Sequence, residues 1–179
     1  RFRVQERASC CLVPENWVLQ GFVHFTSGAT AGYGNSIPLR AMLHQNAKQA
    51  YVQTCPVDMR SAPIISFWYK AMNQITVQGE GGYPVSAEEP TEADKIRYQV
   101  LVSNDSGSTW ETIQEIAFGQ HQASGDFAQV RIDAAAYAND TCMIRFVFEP
   151  NLEIVTGAAQ VNLYFDQVTV GTEMGKDLG

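Results

Sequence analysis

Hydrophobic and polar residues alternate in short segments along most of the chain, a spacing typical of half-buried β-strands. Thr109 to Ile113 alternates over five residues, and Val161 to Val170 is the longest such run. The segment Ile64 to Lys70 is rich in aromatic and β-branched residues, which favour strands. The complete set of strand-like segments is 17–25, 49–54, 64–70, 98–102, 109–113, 127–132, 142–148 and 161–170.

Strands at this spacing, separated by turn residues, predict an all-β fold: a jelly-roll β-sandwich of two antiparallel sheets. A parallel α/β fold is disfavoured, because long amphipathic helices do not alternate with the strands. Only 37–45 has a helix-like pattern, 134–137 suits one helical turn, and 79–94 is predicted to be an exposed loop. We predict a single domain over residues 1–179, with its core at roughly 14–171.

Composition and charge narrow the choice of partners. The chain has 179 residues, 45% of them hydrophobic, and a net charge of −7. An acidic domain repels phosphate backbones, so we expect no nucleic-acid partner. We expect no membrane insertion, because no apolar run approaches the ~20 residues that span a bilayer. The chain opens at Arg1 without Met, so we expect a processed segment of a larger polypeptide.

Four cysteines are present, at positions Cys10, Cys11, Cys55 and Cys142. Their spacing to one another and to histidine does not suit a zinc site. A disulfide from Cys10 or Cys11 to Cys55 would tie the amino-terminal segment to the core. Buried free thiols that pack as small hydrophobic groups fit the sequence equally well. The sequence leaves both alternatives open.

Residues 103–110 carry the sharpest local motif, Ser-x-Asp-x-Gly-x-Thr-Trp. Ser103 opens the motif, and Gly107 permits the positive φ of a tight hairpin turn. Asp105 is expected to accept hydrogen bonds from turn amides, as in Asx turns. Thr109 begins the returning strand, and Trp110 is expected to bury its ring against the core. The motif therefore predicts a structural hairpin.

This motif is an Asp-box, which is familiar from sialidases. Sialidase propellers carry several such boxes, one in each of several blades, away from the catalytic centre. The present chain has one copy and is too short for six blades. The box is therefore interpreted as a folding device.

A single Asp-box among strands resembles the cleaved-adhesin and reelin-type jelly rolls, to which MAM domains are architecturally close. Other segments resemble elements of that family: Pro14-Glu15-Asn16-Trp17, Ile65 to Lys70, Ile144-Arg145-Phe146 and Tyr164 to Val170. The resemblance runs from about Pro14 to Gly171. It implies a bacterial, secreted or cell-surface module for adhesion or carbohydrate contact.

The resemblance also implies one structural calcium ion. Asp166 matches the carboxylate of the family's closing strand, and Glu6 is the best candidate for its partner near the first strand. Backbone carbonyls would complete the oxygen ligands. The family has Phe-Glu where this chain has Gln5-Glu6. A hydrogen-bonded strand carboxylate at Asp166 and a solvated side chain at Glu6 are the alternatives.

Carbohydrate binding would use exposed aromatic rings that stack on sugar faces. The candidates are Tyr33, Tyr83 and Tyr137, which lie in loop-like segments. Packing within those loops is the alternative for each. The three tryptophans lie in strand patterns and are predicted to be core residues: Trp17, Trp68 and Trp110.

Enzyme motifs are missing from the sequence. His24, His44 and His121 form no His-x-x-x-His pair, and there is neither a Gly-x-Ser-x-Gly elbow nor a phosphate-binding loop. We therefore predict a non-enzymatic module whose partner is a glycan or a surface protein. An accessory domain that packs on adjacent domains of the same polypeptide is the alternative, and a small hydrolase on a sandwich scaffold is a third reading.

Overall fold

The computed structural model describes residues 18–20, 23–25, 39–121, 124–171 and 173–175. This part of the chain is all-β, with two short 3-10 turns at 80–82 and 135–137 and no α-helix. The strands in chain order are β1 (Val18–Gln20), β2 (Val23–Phe25), β3 (Leu39–His44), β4 (Ala50–Gln53), β5 (Ile64–Gln78), β6 (Pro84–Pro90), β7 (Ile96–Ser103), β8 (Glu111–Ile116), β9 (Ala128–Asp133), β10 (Met143–Pro150), β11 (Gln160–Val170) and β12 (Glu173–Gly175).

The strands form two antiparallel sheets, as predicted for a jelly-roll β-sandwich. The five-stranded sheet has the order β1-β4-β10-β7-β8. The seven-stranded sheet has the order β2-β3-β11-β5-β6, with β12 also paired to β11 and β9 also paired to β5. Consecutive strands therefore often lie in different sheets, which ties the two layers together along the chain.

The core lies between the two sheets and is built from the inward positions of each strand. On β10, Ile144, Phe146 and Phe148 are buried in it, whereas the residues between them point outward. A cluster of aromatic rings fills the centre. Phe67 lies with its ring centroid 5.4 Å from that of Phe146 and 5.0 Å from that of Phe165, and 5.8 Å from that of Tyr98. Tilted and edge-on pairs at these distances suit the charge distribution of aromatic rings.

Strand β11 lies at the centre of the seven-stranded sheet and carries a bulge. Its pairing with β5 is continuous from Gln160 to Asp166 and resumes at Thr169. Gln167 sits in the bulge with φ of +46°, a left-handed conformation that a non-glycine residue rarely adopts. Gln160 to Phe165 pair with β3 on the other side, and Val168 to Val170 pair with β12. The bulge thus marks the place where β11 changes neighbours.

Three local predictions are wrong. The helix predicted near 37–45 is strand β3, because Leu39, Ala41 and Leu43 alternate into the core and the strand pairs with β11. The loop predicted over 79–94 contains strand β6, an exposed strand paired with the far half of β5. The strand predicted over 17–25 is two short strands that belong to different sheets.

Cys55 and Cys142 are free thiols, so the disulfide from Cys55 to the amino-terminal cysteines is not formed. The Cys142 thiol is buried and lies 3.1 Å from the carbonyl oxygen of Tyr137, to which it donates. Cys10 and Cys11 lie outside the described residues. Within the described ranges, no helix is long and apolar enough to cross a membrane.

Candidate functional site

The outward positions of the five-stranded sheet carry an aromatic and polar surface. We define the aromatic–arginine face by five residues: Tyr51, Gln53, Leu101, Trp110 and Arg145. Arg145 on β10 stands opposite Gln53 on β4 and Leu101 on β7, so these side chains share one row across the sheet. Each of the five residues is partly exposed. The face is therefore within reach of a ligand.

Arg145 organises this face. Its guanidinium carbon lies 4.1 Å from the centroid of the Trp110 ring and 4.7 Å from that of the Tyr51 ring. A guanidinium group at these distances is attracted by the electron-rich faces of both rings. Its Nε and Nη2 donate to Gln53 Oε1 at 2.9 and 2.6 Å. The four groups therefore hold one another in fixed positions.

The bonds that fix Arg145 leave further polar groups for a ligand. Only two of its five N–H donors are directed to Gln53. The Gln53 amide uses its oxygen in those bonds and retains its NH₂ group as a donor. Leu101 contributes apolar surface beside them. Such a mixture of rings, planar donors and apolar surface suits a ligand with both C–H and O–H groups.

The far end of the same sheet is charged. Arg97 on β7 forms an ion pair with Glu149 on β10, and its guanidinium carbon lies 5.3 Å from the centroid of the Phe118 ring. Gln49 also donates to Glu149, at 2.7 Å. These mutual bonds occupy the charged groups, so this end of the sheet has fewer free donors than the aromatic–arginine face.

The hairpin between β7 and β8 positions Trp110. The Asp105 carboxylate accepts from Ser103 Oγ at 2.7 Å, from the Thr109 amide at 2.9 Å and from Thr109 Oγ1 at 2.6 Å. The Thr109 and Ser103 hydrogen bonds lower the pKa of Asp105 to about 2. Gly107 adopts φ of +88°, which a side chain disfavours. The turn that immediately precedes Trp110 is thus fixed by these bonds.

Trp110 and Trp68 differ from the sequence-based prediction of core rings. Trp110 is half-buried and lies over Arg145 instead of entering the core. Trp68 is half-buried at an outward position of β5, because its neighbours Phe67 and Tyr69 take the inward positions. Trp17 lies outside the described residues. The alternating sequence pattern predicted that both tryptophans lie in strands and that their rings face the core. The inward direction of the rings is the part that is wrong.

The outer face of the seven-stranded sheet contains a partly buried polar network. Glu88 on β6 reaches across β5 and accepts from Asn162 Nδ2 at 2.7 Å and from the Tyr164 hydroxyl at 2.5 Å. Asn162 and Tyr164 are almost fully buried. Burial and the Glu88 carboxylate both raise the pKa of Tyr164. Because these groups satisfy one another, this network offers less to a ligand than the aromatic–arginine face.

The predicted ligand-binding tyrosines lie on separate elements. Tyr83 follows the 3-10 turn at the tip of the β5–β6 hairpin and is 74% exposed. Tyr137 ends the second 3-10 turn, where its hydroxyl donates to Glu111 Oε1 at 2.7 Å. That bond raises the pKa of Tyr137. Tyr33 lies outside the described residues.

The predicted calcium ligand Asp166 is buried, at an outward position of β11 opposite Trp68. Its Oδ1 accepts from the backbone amide of Gln167 at 2.8 Å, within the bulge. The proposed partner Glu6 lies outside the described residues. Among the residues that are described, no group of three or more His, Cys, Asp or Glu side chains is placed to hold a metal ion. The calcium site stays a prediction.

Sequence reasoning did not single out Tyr51, Gln53 and Arg145 as candidate ligand-binding residues. All three occupy the polar positions of alternating strands, where they read as ordinary solvent-facing residues. The sequence carries only a weak signal, because tyrosine is common in strands and arginine is common at exposed positions. Their meeting depends on the pairing of β4 with β10, which the sequence does not specify.

Neither a protein-family profile nor a curated protein matches the sequence. Among solved structures, the fold is similar to CBM28, a carbohydrate-binding module specific for non-crystalline cellulose. The TM-score is 0.51, with 14% identity and 86% of each chain covered. A second similar structure concerns the promiscuous specificity of carbohydrate-binding modules from the β-sandwich superfamily. It has a TM-score of 0.50 and 9% identity, over 85% of this chain and 54% of that chain. At these identities the likeness shows a shared β-sandwich fold.

Proposed function

We propose that the chain is a non-catalytic carbohydrate-binding module that binds glycans on the aromatic–arginine face. The observation that carries the proposal is the Arg145 guanidinium held against the rings of Trp110 and Tyr51, beside the Gln53 amide, on an outward sheet face. A pyranose ring presents apolar C–H groups on its faces and hydroxyls on its edge. Aromatic rings suit the former, and planar amide and guanidinium donors suit the latter.

The two similar structures with TM-scores of 0.50 or above support this proposal, because both are described as carbohydrate-binding modules. Fold and function are separable, so the argument rests on the face itself. A sheet face is a continuous surface, which suits an extended saccharide better than a single sugar. We therefore propose a soluble glycan chain as the ligand, met outside the cell by a secreted or surface-attached polypeptide.

The experiment is a binding screen with a panel of soluble polysaccharides, followed by calorimetry with oligosaccharides of the best ligand. Trp110→Ala and Tyr51→Ala each remove one ring from the face and should weaken binding by on the order of 10-fold. Tyr83→Ala is the matched control, since Tyr83 is an exposed ring at the hairpin tip, away from the face. Equal binding by the wild type and both ring variants would contradict the proposal.

An accessory role in assembly is the second candidate, and one observation favours it. The β5–β6 hairpin continues past Gln74, the last β5 residue paired with β11, as a two-stranded ribbon. Val77, Tyr83 and Val85 on this ribbon are 39%, 74% and 45% exposed. Exposed apolar side chains on a projecting ribbon suit contact with a neighbouring domain.

Val85→Thr tests that second role, because it changes the polarity of the ribbon at nearly constant shape. In a longer polypeptide that carries this chain, the substitution should lower the melting temperature of the whole while the isolated chain is unaffected. Unchanged melting of both proteins would exclude the assembly role.

A further inference from the structure

Strand β5 changes its neighbour halfway along one edge. Ile64 to Tyr69 pair with β9, and Met72 to Gln78 pair with β6, so Lys70 falls between the two partners. A pocket of about 310 Å³ lies beside this gap. It is lined by Tyr69, Lys70, His121, Ser124, Asp126, Phe127 and Ala128. Its volume is at the lower end of the range for small-ligand sites.

Lys70 supplies an unneutralised positive charge to this pocket. The ammonium nitrogen lies 4.8 Å from the centroid of the Phe127 ring and 5.3 Å from that of Tyr164. Within the described part of the chain, the four ion pairs all involve other residues, and Lys70 makes no hydrogen bond. The ammonium group thus lies against two aromatic rings, and no carboxylate among the described residues forms an ion pair with it. An anionic ligand group would therefore gain by binding there.

His121 supplies a second polar atom without a partner. Its side chain is 4% exposed, and its Nδ1 lies 3.5 Å from the Tyr69 hydroxyl. The Nε2 atom is buried and has no hydrogen-bond partner among the described residues. Burial lowers the pKa of His121, so the ring is neutral at pH 7. A sugar hydroxyl both donates and accepts, and it therefore suits Nε2 in either tautomer.

Two further groups suit the hydroxyls of a sugar. Ser124 Oγ accepts from the Asp126 amide at 3.1 Å and keeps its own hydrogen to donate. The Asp126 carboxylate is exposed at the pocket and accepts from hydroxyls. A ligand that carries one carboxylate and several hydroxyls would thus suit this pocket, because Lys70 would bind the carboxylate and Asp126 would accept hydrogen bonds from the hydroxyls.

We propose that this pocket binds a uronic acid residue of an acidic saccharide. The sugar carboxylate pairs with Lys70, the hydroxyls meet His121 and Asp126, and the C–H face of the ring packs on Phe127. The site is separate from the aromatic–arginine face and adds a preference for charged sugars to the proposed function. Its failure leaves binding at that face unaffected.

Calorimetry at pH 7 and low salt compares three ligands: oligosaccharides that end in glucuronic or galacturonic acid, neutral oligosaccharides of equal length, and acetate. The wild type should bind the acidic oligosaccharides about 10-fold more tightly than the neutral ones. Lys70→Met should abolish that difference, whereas Lys70→Arg, which keeps the charge, should retain it. Lys48→Met, a change of the same charge at an exposed residue outside the pocket, is the control.

Equal binding of acidic and neutral oligosaccharides, no binding of either acidic oligosaccharide, or an unchanged preference in Lys70→Met overturns the proposal. Acetate that binds as tightly as the acidic sugars overturns the sugar part of it. Trp110→Ala separates the two sites, because it should weaken binding of neutral glycans without removing the preference for acidic ones.

Discussion

At the residue scale, single polar side chains in this protein fix positions that would otherwise be flexible. Asp105 holds both arms of its hairpin through Ser103 and Thr109. Arg145 holds Gln53 and both rings of the aromatic–arginine face. In each case a charged group satisfies several neighbours at once, as charge-assisted hydrogen bonds allow. These residues are therefore where substitution is most informative.

Asp105→Asn should lower the melting temperature at pH 7, because it removes the charge that the Ser103 and Thr109 donors stabilise. The folded-state pKa of Asp105, about 2, is below its unfolded value of about 4. Its stabilisation is therefore complete above pH 4 and disappears as the pH falls towards 2. The difference in melting temperature between wild type and variant should shrink over that interval. Asp140→Asn, the same change at an exposed residue outside the hairpin, is the control.

The buried His121 should add a second pH dependence to the stability of the protein. As with Asp105, stability falls as the pH is lowered, but the fall begins at a higher pH. Burial lowers its folded-state pKa below the unfolded value of about 6.5, so the unfolded chain binds more protons in that range. The free energy of unfolding should fall as the pH is lowered from about 6.5. Denaturant titrations between pH 7 and 5 should show a smaller decrease in His121→Gln. An identical decrease in both proteins would exclude His121 as the cause.

At the element scale, strands β5 and β11 hold the sandwich together. Both contribute rings to the aromatic core, and each has neighbours on both edges. Phe67 on β5 contacts the rings of Phe146 and Tyr98 across the core, so its loss opens a cavity between the sheets. Exposed aromatic residues of the same type have no comparable contacts.

Phe67→Ala should reduce the free energy of unfolding by about 3–5 kcal/mol, the cost of a large buried-to-small substitution. Phe118→Ala, the same change at a ring that is 38% exposed, should cost less than about 1 kcal/mol. Chemical denaturation measures both values. A cost for Phe67→Ala no greater than that for Phe118→Ala would contradict the assignment of the core.

The positive φ of Gly107 in the β7–β8 hairpin predicts a stability cost for substitution at this position. Gly107→Ala forces a side chain into φ of +88° and should cost about 1–2 kcal/mol. Gly125→Ala is the control, because Gly125 has no positive φ and its added methyl would make only an ordinary contact, with Pro90. In thermal unfolding, the melting temperature of Gly107→Ala should be lower than that of Gly125→Ala. The opposite order would contradict the turn geometry.

Most strands could be predicted from the sequence because their alternation is strong and local. Leu39 to His44 is the exception: a short run with Leu39 and Leu43 four residues apart also fits a helical face, and only pairing with β11 makes it a strand. The aromatic–arginine face was not predictable in the same way. Tyr51, Trp110 and Arg145 come from three distant segments, and the strand order that joins them is a long-range property.

At the scale of the whole molecule, the two sheets have different outer surfaces. At the centre of the seven-stranded sheet, the outward residues Asn162 and Tyr164 are buried. The five-stranded sheet leaves Tyr51, Trp110 and Arg145 partly exposed. The net charge of −7 opposes anionic polymers in general, so an acidic saccharide requires a local cation such as Lys70. The described residues thus present the exposed aromatic–arginine face on one sheet and the pocket beside Lys70 on the other.

The most direct test of the central proposal is an NMR titration of the isotope-labelled protein with an oligosaccharide of the best-binding neutral glycan. The account predicts that the largest shift changes occur at the Trp110 indole N–H, the Gln53 side-chain amide and the backbone around Arg145 and Leu101. Changes confined to the seven-stranded sheet, or no changes with any glycan of the panel, would contradict it.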